Sequence, residues 1–153
     1  EKQGPEQSYL NGATVYDYYE TQDGRYLSIG SLEPQFLHGL AQILELPIVA
    51  EKGASLVTED RQVVKQAIKD KIKTQDFATW NAIFQQQDVC VEPVLKLDEA
   101  LDSQLAKHRA WVVSVPLQEG STKSEQQLAC PIKFSRSKIR YEFIGKPLGF
   151  DSL

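Results

Sequence analysis

Methionine is missing altogether from these 153 residues, and cysteine, histidine and tryptophan occur only twice each. Two cysteines without clustered histidines lack the ligand spacing of a standard zinc centre, so no metal is expected. Two cysteines also cannot build the disulfide framework of a small secreted domain. Cys90 and Cys130 each sit in an apolar run, Val89-Cys90-Val91 and Leu128-Ala129-Cys130-Pro131, and are expected as reduced core thiols. Basic charge is not in excess, with 17 Lys and Arg against 21 Asp and Glu. That balance argues against nucleic acid as a partner. No apolar run reaches membrane-spanning length, and no basic-then-apolar leader precedes Tyr9, so no membrane is expected and the cytoplasm is the expected compartment. There is no internal repeat and no low-complexity tract.

What is present reads as one soluble globular domain. Apolar residues make up 41% and charged residues 25% of the chain, enough for a core of ordinary size. The most informative block is VYDYYETQDGRYLSIGSLEPQF, from Val15 to Phe36. Two strand-like arms, Tyr16 to Tyr19 and Tyr26 to Ile29, flank Asp23-Gly24, a dipeptide that supplies the positive φ angles of a tight hairpin turn. The period then changes: Phe36, Leu37, Leu40, Ile43 and Leu44 lie on one helical face. Pro34 suits the first helical turn, where its missing N–H has no partner. Leu46-Pro47 ends that helix. A loop over 50–56 follows, then a helix capped by Thr58 and running to about Ile72, with acids at its start and lysines at its end. A third helix, capped by Thr74, runs to about Gln86 and buries Phe77, Trp80, Ile83 and Phe84. A short strand near Val89 to Val91, one or two helical turns over 97–106 capped by Asp98, a strand from Trp111 to Val115, a polar loop over 118–126 and an edge strand from Leu128 to Phe134 complete the pattern. The expected fold is α+β, with an N-terminal β-hairpin, about three main helices and a small, mostly antiparallel sheet. Residues 1–13 read as a linker, 14–134 as the domain, and 135–153 as a basic tail that needs another surface to lie on.

Several of these segments, in order, resemble CoA-transferase family III, the CaiB/BaiF type. A tyrosine-bearing strand followed by Asp23-Gly24-Arg25-Tyr26 is similar to that family's hairpin, and Glu33-Pro34-Gln35-Phe36 follows where expected. Asp88-Val89-Cys90-Val91-Glu92-Pro93-Val94, Leu97-Asp98-Glu99-Ala100, His108-Arg109, Pro131-Ile132-Lys133-Phe134-Ser135 and Pro147-Leu148-Gly149 continue the likeness. Glu-Pro-Gln-Phe is most similar to the 2-methylacyl-CoA racemase branch, since transferase members often lack a Glu there. The resemblance implies a coenzyme A thioester as substrate. It also implies that this chain is the small domain and the start of the return to a large α/β domain, in an enzyme whose two subunits interlock as a homodimer. The racemases' His and Asp acid–base pair and the transferases' aspartate nucleophile are expected in that large domain. His38 and His108 match neither motif.

Glu33 is the candidate site residue. By resemblance its carboxylate reaches the active site at the domain junction, near a histidine base. Removing and returning a proton α to a thioester carbonyl calls for an oriented base with a balanced charge. Read from the residues alone, the favoured role of Glu33 is the side-chain cap of the helix that Pro34 opens, and it is the resemblance that turns it toward the active site. Three functions stay open: a racemase-like acyl-CoA enzyme whose small domain is inert alone, a CoA-transferase working through acyl-enzyme anhydrides, and a non-catalytic binding module of the same fold.

Overall fold

The computed structural model describes residues 8–146. Residues 1–7 and 147–153, with the expected Pro147-Leu148-Gly149 motif and the outer ends of the linker and tail, lie outside the described residues. The chain divides into two compact units, one running to Val94 and one starting at Leu95. The span 14–134 proposed from the sequence crosses that division.

The first unit is built on the hairpin. Strands β1 (Asp17–Glu20) and β2 (Tyr26–Ile29) pair antiparallel from Asp17↔Ile29 to Glu20↔Tyr26. Of Asp23-Gly24 only Gly24 takes a positive φ, 77°, so the connection over 21–25 is wider than the tight turn expected, and Asp23 serves instead to brace it. Its Oδ1 accepts from Thr21 Oγ1 at 2.5 Å and from the backbone N of Phe77 at 3.0 Å, which fastens the turn to the start of a later helix. A third strand, β3 (Val91–Pro93), pairs antiparallel with β2. Residues ahead of the hairpin are also tied down. Lys65 Nζ donates to Gly12 O and pairs with Asp17 at 2.6 Å.

Four helices share one hydrophobic core with this sheet. In α1 (Pro34–Leu44), Pro34 takes the first position, as its spacing predicts, and Leu37, Leu40, Ala41 and Leu44 are buried. This helix ends where Glu45 turns left-handed, with φ 56°, and Pro47 begins α2 (Pro47–Lys52), which runs into the loop expected over 50–56. Leu46, kept out of the helical region by the following proline, is the N-cap of α2, and Pro47 serves as its first helical residue. Helix α3 (Thr58–Ile72) buries Val64, Ile68 and Ile72. Its N-cap is Val57 rather than Thr58, with no side-chain cap hydrogen bond, and Val57 N donates to Ser55 Oγ at 3.1 Å just ahead of the helix. Helix α4 (Phe77–Phe84) is capped by Asp76, whose Oδ1 accepts from Thr79 N at 2.8 Å. Thr74, the expected cap, instead closes α3 by donating to Lys71 O at 2.7 Å. Tyr19, Leu27, Ile29, Leu40, Ile68 and Trp80 meet in the centre of this unit.

The second unit carries α5 (Leu97–Asp102), α6 (Gln104–Arg109) and a two-stranded antiparallel ribbon of β4 (Val112–Pro116) and β5 (Ser124–Leu128). The N-cap of α5 is Lys96, not Asp98. Its backbone N donates to Glu99 Oε2 at 2.8 Å. Strand β5 starts inside the expected polar loop and ends at Leu128, where the edge strand is expected to begin, and 129–134 is irregular. The sequence Ser-Glu-Gln-Gln-Leu is mostly exposed, so it shows no alternation of apolar and polar residues, while Pro131 has no N–H for a ladder. Among the described tail residues, Ile144 N donates to Pro116 O at 2.9 Å, and Tyr141 Oη accepts from Cys130 N at 2.9 Å. The expected class, α+β with an N-terminal hairpin and a small antiparallel sheet, is what the chain forms. Among the described residues no helix is long and apolar enough to cross a membrane.

Candidate functional site

The junction between β2 and α1 presents Glu33. Its main chain occupies the N-cap position, with φ −73° and ψ 147°, and its carbonyl accepts from Leu37 N at 2.9 Å. Its side chain makes no cap hydrogen bond and is exposed. The side-chain cap anticipated as one role for Glu33 is therefore not formed. The helix uses the peptide of residue 33 and leaves the carboxylate available, at a helix end where the backbone dipoles favour negative charge.

The residues before it are anchored to the segment leading into β3. Gly30 N donates to Cys90 O at 2.8 Å, and Ser31 Oγ donates to Val89 O. Leu32 N then donates to Gly30 O at 2.9 Å. Ser31 is fully buried although polar, which is consistent with a hydroxyl that has a partner. Cys90 departs from its expected place in the core. It is exposed and adopts a left-handed backbone with φ 53°. That local turn is also why β3 starts at Val91 rather than Val89. Partial desolvation, and then the negative charges of Glu33, Asp88 and Glu92, push the Cys90 thiol above its ordinary range. A thiol held in that state is a poor nucleophile at neutral pH.

Cys90 also lines a cleft of about 320 Å³ in the first unit, with Asn81, Gln85, Asp88 and Glu92 among its walls. Asn81 Oδ1 is buried there without a hydrogen-bond partner. His38 lies on α1, exposed, with its Nε2 3.1 Å from Gln42 Nε2. His108 is exposed in the last turn of α6. Among the described residues, no group of three or more His, Cys, Asp or Glu side chains comes together as a cation site. Sequence reasoning singled out Glu33 but passed over Ser31, Asn81 and the backbone of Cys90. No residue pattern marks a serine as buried or a cysteine as left-handed, so only the fold reveals them.

Comparison with known proteins points in one direction. The family model for CoA-transferase family III matches residues 1–152. An alpha-methylacyl-CoA racemase from Mus musculus is 36% identical over 103 residues, which is 67% of this chain and 27% of that protein. The Homo sapiens alpha-methylacyl-CoA racemase is 30% identical over 112 residues, 73% of this chain and 29% of that protein. The chain thus spans less than a third of the length of these relatives. A solved structure of a CaiB/BaiF family protein from Brucella suis is similar in fold, with a TM-score of 0.66 at 16% identity, covering 88% of this chain and 35% of that one.

Proposed function

The chain belongs to CoA-transferase family III, and from that premise we propose that it forms the small domain of an enzyme exchanging the α-proton of a 2-methylacyl-CoA thioester. The names of the mouse and human relatives support the racemase branch. The observation that carries the reading is the Glu33 carboxylate, exposed at a strand-to-helix junction and unused by the helix it precedes. Exchange removes the proton α to the thioester carbonyl and returns one to the opposite face. One carboxylate cannot be both acceptor and donor, so the domain alone is inert. In this reading Glu33 orients and charge-balances a base supplied by the rest of a complete enzyme, which works as a homodimer on its acyl-CoA substrate.

The test is Glu33→Gln in the complete native protein, following deuterium uptake from deuterium oxide at the α-carbon by mass spectrometry. Acid–base groups contribute about 10²- to 10⁴-fold, so exchange should fall at least about a hundredfold. Far-UV circular dichroism should not change, because the helix does not use this side chain. Unchanged exchange would reduce Glu33 to the residue where α1 begins. CoA transfer between carboxylic acids with no α-exchange would replace the racemase by a transferase.

A further inference from the structure

We infer that Ser31, together with the backbone of Cys90, clamps the β2–α1 junction and so fixes the point from which the Glu33 side chain leaves the main chain, which makes Ser31 a positioning residue; this rests on the proton exchange proposed above. Two consecutive residues, Gly30 and Ser31, donate to the carbonyls of Cys90 and Val89 respectively. The backbone bond continues the antiparallel register one step past Ile29↔Val91, and the hydroxyl braces the junction against a segment 58 positions away in sequence. The left-handed turn at Cys90 is part of that arrangement, and it is a conformation that L side chains other than Asn and Asp seldom adopt. Such outliers persist where their surroundings enforce them, and they gather at functional sites.

The stretch from the clamp to the helix has little freedom left. Leu32 N is bonded to Gly30 O, the Pro34 ring fixes its own φ, and the Glu33 carbonyl is held by Leu37 N. The carboxylate is left with only its own side-chain torsions. A fixed anchor limits where that carboxylate can reach, and misplacement of an acid–base partner by about 1 Å can cost on the order of a hundredfold in rate. The serine hydroxyl also explains a buried polar residue that packing alone does not require.

A double-mutant cycle in the complete protein separates positioning from folding. Ser31→Ala should lower kcat for α-proton exchange about tenfold or more with little change in KM, and should add nothing in a Glu33→Gln background. An equal loss in both backgrounds makes Ser31 a purely structural residue and overturns the inference, as does an unchanged kcat. A Glu33→Gln variant with undiminished exchange overturns the proposed function itself, and the clamp with it. If Ser31→Ala does not fold, an exposed pair of variants decides. Asn tolerates the left-handed region and Val does not, so Cys90→Val should have a kcat about tenfold below that of Cys90→Asn. Equal values for the two refute the clamp.

Discussion

Replacing Trp80 by Phe removes one buried donor and part of one ring, and the structure sets the size of each loss. The indole is 1% exposed, and its Nε1 donates to the Ile72 carbonyl at 2.7 Å, just where α3 ends. A carbonyl left bare in a core costs about 1–3 kcal/mol. Ile72 O keeps a long contact from Gln75 N at 3.5 Å, which places the loss near the lower end, about 1 kcal/mol. The missing ring atoms and the space they leave cost roughly another 1–2 kcal/mol. Phe at position 80 can still stack on Phe84, whose ring centre lies 5.6 Å from that of Trp80, so no further aromatic loss is added. The sum is about 2–3 kcal/mol, a large share of the roughly 5–15 kcal/mol that holds a domain folded. Equilibrium urea unfolding followed by far-UV circular dichroism should show the midpoint falling by about 1 M with the slope unchanged, given slopes of about 1–3 kcal/mol/M. A loss under about 1 kcal/mol would refute the reasoning, because it would mean that Ile72 O finds another donor and the cavity closes. A changed slope would point instead to an altered unfolded or native compactness.

Two further outcomes follow from the same core. Tyr19 is fully buried and donates to Val15 O at 2.9 Å, and burial foremost, then the Asp17 charge, hold its phenol above the ordinary range. The unfolded chain loses this proton near pH 10 while the folded chain keeps it, so the stabilisation is complete below about pH 10 and declines above it. Tyr19→Phe should cost about 1 kcal/mol at neutral pH and flatten the alkaline fall in urea midpoint. An alkaline fall as steep as in the parent protein would remove Tyr19 as its cause. Gly53 closes α2 where an added Cβ would strike Val49 O and lie 2.7 Å from Leu37 Cδ2. Gly53→Ala should therefore lower stability by about 1–3 kcal/mol, and an alanine variant as stable as the parent in urea would show that this end of α2 gives way freely.

The parts legible in the sequence are those where a local rule acts alone. Tyrosines on either side of Asp23-Gly24 give the hairpin, and the spacing from Phe36 to Leu44 behind Pro34 gives α1. The unread parts depend on contacts between distant segments or on a residue in an unusual role. Pro47 was legible as a terminator but not as the start of a six-residue helix, because a single turn carries too few apolar positions to show a period. Caps were displaced by one or two residues at Val57, Asp76 and Lys96, since several polar residues near each start compete for the same backbone groups. Strand β5 was hidden because both of its faces are largely wet. Cys90, between two valines, has the composition of a core residue, and only its positive φ turns it outward.

The candidate site divides along the same line. That a carboxylate stands where a strand gives way to a helix is written in Ile29-Gly30-Ser31-Leu32-Glu33-Pro34. Whether the helix consumes that carboxylate is not, because both outcomes use the same residues and differ only in side-chain torsion. The structure gives the capping duty to the peptide of residue 33 and to the proline after it, and leaves the acid outside. It also moves the polar work of holding the junction to Ser31, which is buried and bonded across to Val89. In the proposed reading, position and chemistry are thereby carried by different side chains two residues apart. A residue that both capped the helix and served the reaction could not be altered without confounding the two. Here Glu33→Gln changes charge with the helix start intact, and Ser31→Ala changes support with the charge intact, so each link from sequence to function can be cut separately.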